Sequence, residues 1–238
     1  MRAVDIFNEA EIINRPVVEA DLDSQEGKAI VSQLKQAGYR MLGKGADATV
    51  WTKDAGTVIK IIMPDLESAD TAAKTFYKFY EFCQQNKGVA HLPNFVDING
   101  KHYTTFEIGG KEFVQIAMEH LYKIKKHSFE EAMVWNLSEF ASNRLSWNKA
   151  LAALRAPASW EHWTAPPSVN AITRYVTTLD PQSLHEYEVL YKLMVILYHT
   201  GKINKLGWDL HTENVMQRND GTLVIIDPWF AMNKKKHP

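Results

Sequence analysis

The segment from Asn214 to Asp227 constrains the fold more than any other, because two short apolar arms surround a strong turn signal. The turn Asn219-Asp220-Gly221 is typical of a tight β-hairpin, and it separates Val215–Gln217 from residues 223–226. Arms of nearly equal length fold back on each other, so their outer ends meet. The pattern therefore predicts a hairpin with Asn214 and Asp227 side by side at its open end.

The side chains at this predicted open end suit a cation that prefers oxygen ligands. The amide oxygen of Asn214 and the carboxylate of Asp227 are the donors that Mg²⁺ accepts when it also binds phosphate oxygens. Asp209 lies on the loop that enters the hairpin. From there its carboxylate can accept the proton of an acceptor hydroxyl group. The pattern predicts a metal site beside a general base.

The rest of the chain passes from strand-like to helical patterns, which predicts an α+β protein. The predicted strands are Ala48–Thr52 and Thr57–Ile62 around a turn at residues 54–56, then 94–98, 102–107 and 112–118. The predicted helices lie within residues 1–38, over 68–86, from Ser128 to about residue 142, and from Asp180-Pro181 to Gly201. Residues 155–170 read as a loop.

Composition and charge exclude several classes of protein. With 27 Lys and Arg against 28 Asp and Glu, the net charge is -1, so we expect no direct binding of nucleic acid or of an anionic membrane. No apolar run approaches the ~20 residues of a membrane span, and Asp5 lies too early for a secretory signal. The single cysteine, Cys83, excludes an internal disulfide and a Cys-based zinc site. These features predict a cytoplasmic protein.

The predicted metal and base residues follow an order that resembles the protein-kinase superfamily. Asp209-Leu-His-Thr-Glu-Asn214, an apolar strand and then Asp227 are similar to the family's catalytic and metal-binding pattern. Gly43-Lys-Gly-Ala-Asp-Ala-Thr-Val50 resembles its glycine-rich loop, and Val58-Ile-Lys60 resembles its strand lysine. Residues 114–121 resemble the hinge strand. The matches extend from residue 39 to residue 227.

The resemblance implies an ATP site built from the first half of the chain. In that reading Lys60 pairs with the phosphates, and Glu81 on the predicted helix positions it, with Glu67 as a weaker candidate. The remaining nucleotide contacts implied by the match are the loop residues Gly43, Lys44 and Gly45, Val50 over the adenine, Met118 as gatekeeper, and the backbones of Glu119 and Leu121.

The resemblance implies catalytic roles for the second half. Asn214 and Asp227 would hold Mg²⁺, and Asp209 would deprotonate the acceptor. His211 stands where Ser/Thr kinases carry a lysine that faces the phosphate, so it joins Asp209 and Lys60 in the catalytic set.

Several departures from the family pattern narrow the resemblance. Gly207 and Trp208 replace the usual His-Arg, Pro228 follows Asp227, and the sequence ends 11 residues after Asp227. These features are similar to the small early Ser/Thr protein kinases of lytic bacteriophages. The resemblance implies a two-lobed protein-kinase-like fold with ATP between the lobes. Residues 1–38 would form a helical extension, 39–120 an N-lobe, and 121–238 a reduced, truncated helical C-lobe.

The expected reaction is transfer of the γ-phosphate of ATP to Ser or Thr hydroxyls of proteins, host proteins in a bacterial cytoplasm if the chain is phage-encoded. Two alternatives stay open. One is a small-molecule phosphotransferase of the aminoglycoside or choline kinase type, because Asp-Leu-His-x-x-Asn also occurs there. The other is a kinase-fold protein that sequesters a host factor, although Lys60, Asp209 and Asp227 are all present. The oligomeric state is left open.

Overall fold

A computed structural model describes residues 25–44, 48–54, 56–62, 69–97, 103–108, 111–156 and 169–231. Its helices are α1 (Gln25–Gln36), α2 (Ala69–Gln85), α3 (Phe129–Ser142), α4 (Trp147–Arg155), α5 (Val169–Thr178) and α6 (Pro181–Ile203). Its strands are β1 (Arg40–Lys44), β2 (Ala48–Thr52), β3 (Thr57–Ile62), β4 (Tyr103–Ile108), β5 (Lys111–Glu119), β6 (Tyr122–Lys123), β7 (Leu206–Trp208), β8 (Val215–Gln217), β9 (Leu223–Ile225) and β10 (Trp229–Ala231). The prediction of an α+β protein is confirmed. The predicted helical extension lies outside the described residues over 1–24.

The chain forms two compact units. The first contains the described residues as far as Gln85 and then Pro93–His120. The second contains Asn86–Leu92 and the described residues from Leu121 onward. Asn86–Leu92, which lies before the predicted boundary at residue 120, is thus part of the second unit.

The first unit is built on a five-stranded antiparallel sheet with the strand order β1-β2-β3-β5-β4. The turn between β2 and β3 depends on Asp54, whose Oδ1 accepts the N–H groups of Gly56 and Thr57, both at 2.9 Å. These two hydrogen bonds stabilise the charged carboxylate and lower the pKa of Asp54. The sheet core includes Trp51 and Ile61, which are almost fully buried.

Helix α2 carries an aromatic face into the core of the first unit. Phe76, Phe79 and Tyr80 are buried on it, together with Cys83. The strand predicted at 94–98 is reduced, within the described residues, to an isolated bridge between Phe95 and Met118. The ring of Phe95 lies 6.4 Å from that of Phe76, so this segment serves the aromatic core.

The second unit is mainly helical. The two helices that the sequence predicted there, α3 and α6, each begin at a residue whose side chain caps the helix. Ser128 Oγ accepts the N–H of Glu131 at the start of α3, and Asp180 Oδ1 accepts those of Gln182 and Ser183 at the start of α6. Helices α4 and α5 were not predicted. Residues 157–168 of the predicted loop lie outside the described residues.

The segment Asn86–Leu92 belongs to the second unit because its backbone is bonded to the hairpin β8–β9. His91 Nδ1–H donates to the carbonyl of Leu223 at 2.7 Å, and Ile225 N–H donates to the carbonyl of His91 at 3.0 Å. Arg218 Nη2 donates to the carbonyl of Leu92 at 3.0 Å. Burial lowers the pKa of His91 below its ordinary value, which favours the neutral ring.

Candidate functional site

The predicted hairpin forms with the register that its turn signal required. Val215 pairs with Ile225 and Gln217 with Leu223, while Gly221 takes a φ of 88° in the turn, which favours glycine. Ile226 N–H donates to the carbonyl of Asn214 at 2.9 Å. Asn214 therefore lies at the open end of the hairpin, opposite the residue that precedes Asp227.

A second strand pair brings the loop of Asp209 to the same end of the hairpin. Strand β7 pairs with β10, and Gly207 lies opposite Phe230. Directly after β7, Asp209 N–H donates to the carbonyl of Pro228 at 2.9 Å. A Cβ at Gly207 would lie 2.2 Å from Cζ of the exposed Phe230 ring, so any other residue there would require that ring to move. The sequence pattern did not predict this strand pair.

The side chain of Asn214 is hydrogen-bonded to Asp209. Asn214 Nδ2 donates to the backbone oxygen of Asp209 at 2.7 Å and to its Oδ2 at 3.2 Å. The two residues are joined by a single turn of 3₁₀ helix, Thr212–Asn214, which His211 caps. The side chain of Asp209 is 44% exposed, so a proton donor can reach the carboxylate.

His211 lies beside the same carboxylate. Its Nδ1 accepts the N–H of Glu213 at 3.3 Å. Its Nε2 lies 3.2 Å from Asn214 Nδ2 and 3.8 Å from Asp209 Oδ1, so its nearer neighbour is the amide of Asn214. The structure therefore brings three of the predicted residues, Asp209, His211 and Asn214, into one cluster.

The oxygen donors at this end of the second unit fit the predicted Mg²⁺ ion. Because Nδ2 of Asn214 faces Asp209, the amide atom that remains for a cation is Oδ1. Asp227 follows the adjacent strand β9 at the same end of the hairpin, and an amide oxygen and a carboxylate are both hard ligands of the kind that Mg²⁺ takes. Within the described ranges no group of three or more His, Cys, Asp or Glu side chains gathers as a metal site. The ion would therefore need phosphate oxygens or water to complete its coordination, as Mg²⁺ commonly does.

Ser138 is a residue of this site that the sequence analysis missed. Its Oγ donates to the carbonyl of Leu210 at 2.7 Å and accepts Nε1–H of Trp208 at 3.1 Å. These partners are the residues on either side of Asp209, and Ser138 is 5% exposed. A serine in the middle of a predicted helix carries no local signal of such a contact, since its partners lie about seventy residues away.

In the first unit, the strand register gathers three of the predicted nucleotide residues on one face of the sheet. Lys60 pairs with Val50 in β2 and with Ile116 in β5, while Val58 pairs with Met118. Directly opposite residues share a face, as do residues two apart along a strand. Val50, Lys60 and Met118 therefore lie on the same face.

The side chain of Lys60 contacts an aromatic ring on helix α2. Lys60 Nζ is 4.4 Å from the centre of the Phe76 ring on α2. Glu81 is exposed on α2, five positions beyond Phe76, which is roughly 140° around a helix. Phe76 therefore lies against Lys60, while the pairing of Lys60 with Glu81 stays a prediction. Glu67 lies outside the described residues.

Four of the other residues predicted to contact the nucleotide lie within the described ranges. Gly43 pairs with Val50, and a Cβ at Gly43 would meet no described atom within 4 Å, while Lys44 ends β1. Gly45 lies outside the described residues. Glu119 N–H donates to the carbonyl of Asn94 at 2.9 Å, and Leu121 is buried. The roles of these residues at a nucleotide stay predictions.

Comparison with protein-family models finds none that matches the chain, and comparison with the curated proteins finds no match. Solved structures do match. An amicoumacin kinase in complex with AMP-PNP and Ca²⁺ is 13% identical at a TM-score of 0.39, over 86% of this chain and 64% of that one. An ADP-bound aminoglycoside phosphotransferase is 15% identical at a TM-score of 0.34, over 85% and 71%. A microcompartment-associated aminopropanol kinase is 12% identical at a TM-score of 0.39, over 84% and 68%.

The chain thus spans less than two thirds of the length of the matched amicoumacin kinase. Identities this low say nothing about a shared substrate. In the part of the chain that is described, no helix combines the length and apolarity that crossing a membrane requires.

Proposed function

We propose that the chain is an ATP- and Mg²⁺-dependent phosphotransferase with a protein-kinase-like fold. The observation that supports this most is the bond between Asn214 and Asp209, because one amide group both fixes a carboxylate and presents an oxygen to a cation. Phosphoryl transfer depends mainly on positioning and charge neutralisation, and this pair provides for both.

In the proposed reaction, Asp209 accepts the proton of an acceptor hydroxyl as its oxygen attacks the γ-phosphorus of ATP. A bond forms between that oxygen and phosphorus, and the bond from phosphorus to the bridging oxygen of ADP breaks. Asn214 and Asp227 would hold Mg²⁺, which would supply positive charge against the phosphates. Lys60, Gly43, Lys44 and Gly45 contact the phosphates.

The remaining residues of the predicted set complete this proposal. Val50, Met118, Glu119 and Leu121 bind the adenine, and Val50 and Met118 lie on the sheet face that carries Lys60. His211 assists at the phosphate beside Asp209, from which its Nε2 is 3.8 Å distant.

The acceptor in this proposal is a Ser or Thr hydroxyl of a protein, and a host protein in a bacterial cytoplasm if the chain is phage-encoded. The support is the resemblance carried by Trp208, His211 and Pro228. Asp209 is exposed enough for a hydroxyl on a macromolecular surface to reach it.

The rival acceptor is a small molecule such as an aminoglycoside or an amino alcohol. The order Asp209-Leu-His211-x-x-Asn214 supports it, since enzymes of that type carry the same order. Incubation of the purified protein with γ-labelled ATP and Mg²⁺, beside a bacterial lysate in one arm and a panel of aminoglycosides and amino alcohols in the other, separates the two. We expect label on lysate proteins. Label on a small molecule alone would replace the protein acceptor by the rival.

The third possibility, a protein that acts by sequestering a partner, is tested with Asp209→Asn. If the chain acts through phosphorylation, its effect on a host cell is lost in this variant while its fold is kept. Full effect from the variant would contradict the proposed enzyme function.

A further inference from the structure

We infer that Phe76 is a positioning residue for Lys60, holding its ammonium group against the face of the aromatic ring. Lys60 Nζ lies 4.4 Å from the ring centre of Phe76. An ammonium within about 6 Å of a ring centre, over the face, is attracted by the negative charge density there. Phe76 is 4% exposed, so the contact is shielded from water on the ring side, where such an attraction is stronger.

The ring itself is held in a fixed orientation by its neighbours. Phe76 lies nearly perpendicular to Phe79, at 6.3 Å between ring centres, and nearly perpendicular to Phe95, at 6.4 Å. Phe95 in turn lies 5.0 Å from Tyr80. Perpendicular ring pairs of this kind are the favoured geometry for aromatic side chains. The aromatic cluster therefore fixes the plane of the ring that Lys60 meets.

The sheet fixes the other end of the lysine. Lys60 leaves β3 on the face it shares with Val50 and Ile116, its direct partners in β2 and β5. A free lysine side chain samples many rotamers, and each polar contact it makes must overcome that loss of freedom. The aliphatic part of the Lys60 side chain lies between apolar neighbours and its ammonium group lies over Phe76. These contacts restrict the rotamers of Lys60 before any ligand binds.

The phenyl ring of Phe76 carries no net charge, so it restricts the position of the Lys60 ammonium without adding a charged group beside it. This inference rests on the proposed function for the anion that Lys60 would meet, the phosphates of ATP.

The contact itself can be tested without nucleotide. In protein labelled with ¹³C-lysine, the ε-methylene signal of Lys60 is identified by its loss in Lys60→Arg. We expect this signal to be displaced upfield by the ring current of Phe76, to return to the ordinary position in Phe76→Leu, and to stay displaced in the control Tyr77→Leu, whose ring pairs with Tyr103. An ordinary position in the wild-type protein would overturn the inference.

The role of the contact is tested by ATP affinity in a double-mutant cycle. Phe76→Leu is expected to weaken ATP binding roughly two- to thirty-fold, the range of a cation–π contact. In a Lys60→Met background the same change is expected to have no further effect, since the partner is gone. Equal losses in both backgrounds, or no loss in the first, would overturn the positioning role.

Replacement of Phe76 by 3,4,5-trifluorophenylalanine covers the case in which Phe76→Leu fails to fold, because it keeps the shape of the ring and removes the negative face. We expect weaker ATP binding with an unchanged melting temperature. Unchanged affinity would overturn the inference. If the wild-type protein binds no ATP at all, the proposed function fails, and the lysine signal still decides whether Phe76 holds Lys60.

Discussion

Asp209 is the residue on which the proposed chemistry depends most, and three hydrogen bonds hold it in place. Its N–H donates to the carbonyl of Pro228, while its backbone oxygen and its carboxylate both accept from Asn214 Nδ2. We expect Asp209→Asn to lower kcat by roughly 10²–10⁴, the usual contribution of a general base. Asp220→Asn, an exposed change at the hairpin turn, is the matched control. A rate near that of the wild type for Asp209→Asn would remove this residue from the role.

Replacement of Ser138 tests whether this residue positions the loop around Asp209 or contributes to ATP binding. In Ser138→Ala, Trp208 Nε1–H and the carbonyl of Leu210 both lose their partner, which costs about 1–3 kcal/mol for a buried polar group left unpaired. The loop around Asp209 loosens, so we expect kcat to fall while KM for ATP stays close to the wild-type value.

The control for this prediction is Ser142→Ala on the same helix, where the hydroxyl donates only to Glu139 in an exposed position. Steady-state kinetics and thermal unfolding of both variants give the comparison. Equal effects of the two substitutions on kcat would contradict a positioning role for Ser138.

Helix α6 and strand β10 meet at Gly201, where glycine is required by packing. A Cβ there would lie 2.7 Å from Nε1 and 2.9 Å from Cδ1 of Trp229, a buried indole that donates to the carbonyl of Leu197 at 3.0 Å. Glycine in a helix interior usually costs stability relative to alanine. At position 201 we expect alanine to be the less stable of the two, because its Cβ would overlap Trp229.

Gly201→Ala should lower the free energy of unfolding by about 1–3 kcal/mol, the cost of overpacking a tight core. The neighbouring Thr200→Ala should change it by less than about 0.5 kcal/mol. Urea unfolding of both variants measures the difference. A stabilised Gly201→Ala would show that α6 and β10 do not pack as described.

The same junction shows which elements sequence patterns can predict. The hairpin of β8 and β9 and the start of α6 follow from local signals, the turn at residues 219–221 and the cap at Asp180. Gly201 looked like the end of that helix, yet α6 continues to Ile203, because the glycine serves contact with Trp229. A local pattern cannot distinguish a glycine that ends a helix from one that admits a distant side chain.

The candidate site was predictable from the sequence only where its residues are close together along the chain. Asp209, His211 and Asn214 lie close together along the chain, and the structure gathers them. Ser138 and Phe76 depend on contacts between distant elements, so neither was found. Glu81 was chosen because the resembled family positions its strand lysine with a helical glutamate, and that role stays a prediction for this exposed side chain.

For the whole molecule, the buried His91 predicts how stability depends on pH. Its pKa in the folded protein is below the ordinary value of 6.5, mainly because burial disfavours the charged ring. The unfolded chain therefore takes up a proton at a higher pH than the folded chain does. The stability contributed by neutral His91 is present above about pH 6.5 and is lost as the pH falls below it.

Urea unfolding between pH 8 and pH 5 measures this dependence. We expect the free energy of unfolding to decrease below about pH 6.5, with a slope from this one group of at most about 1.4 kcal/mol per pH unit. In His91→Asn, which keeps a donor for Leu223, the decrease should be smaller. Identical profiles for the two proteins would remove His91 as the source.

The proposal as a whole depends on metal-dependent transfer from ATP at the open end of the hairpin. The most direct test is transfer of labelled γ-phosphate, with and without Mg²⁺, by the wild-type protein, by Asp227→Ala and by the control Asp220→Ala at the other end of the same hairpin. We expect Mg²⁺-dependent transfer by the wild type and the control, and none by Asp227→Ala. Transfer by Asp227→Ala at the wild-type rate, or transfer by the wild type without any divalent cation, would contradict it.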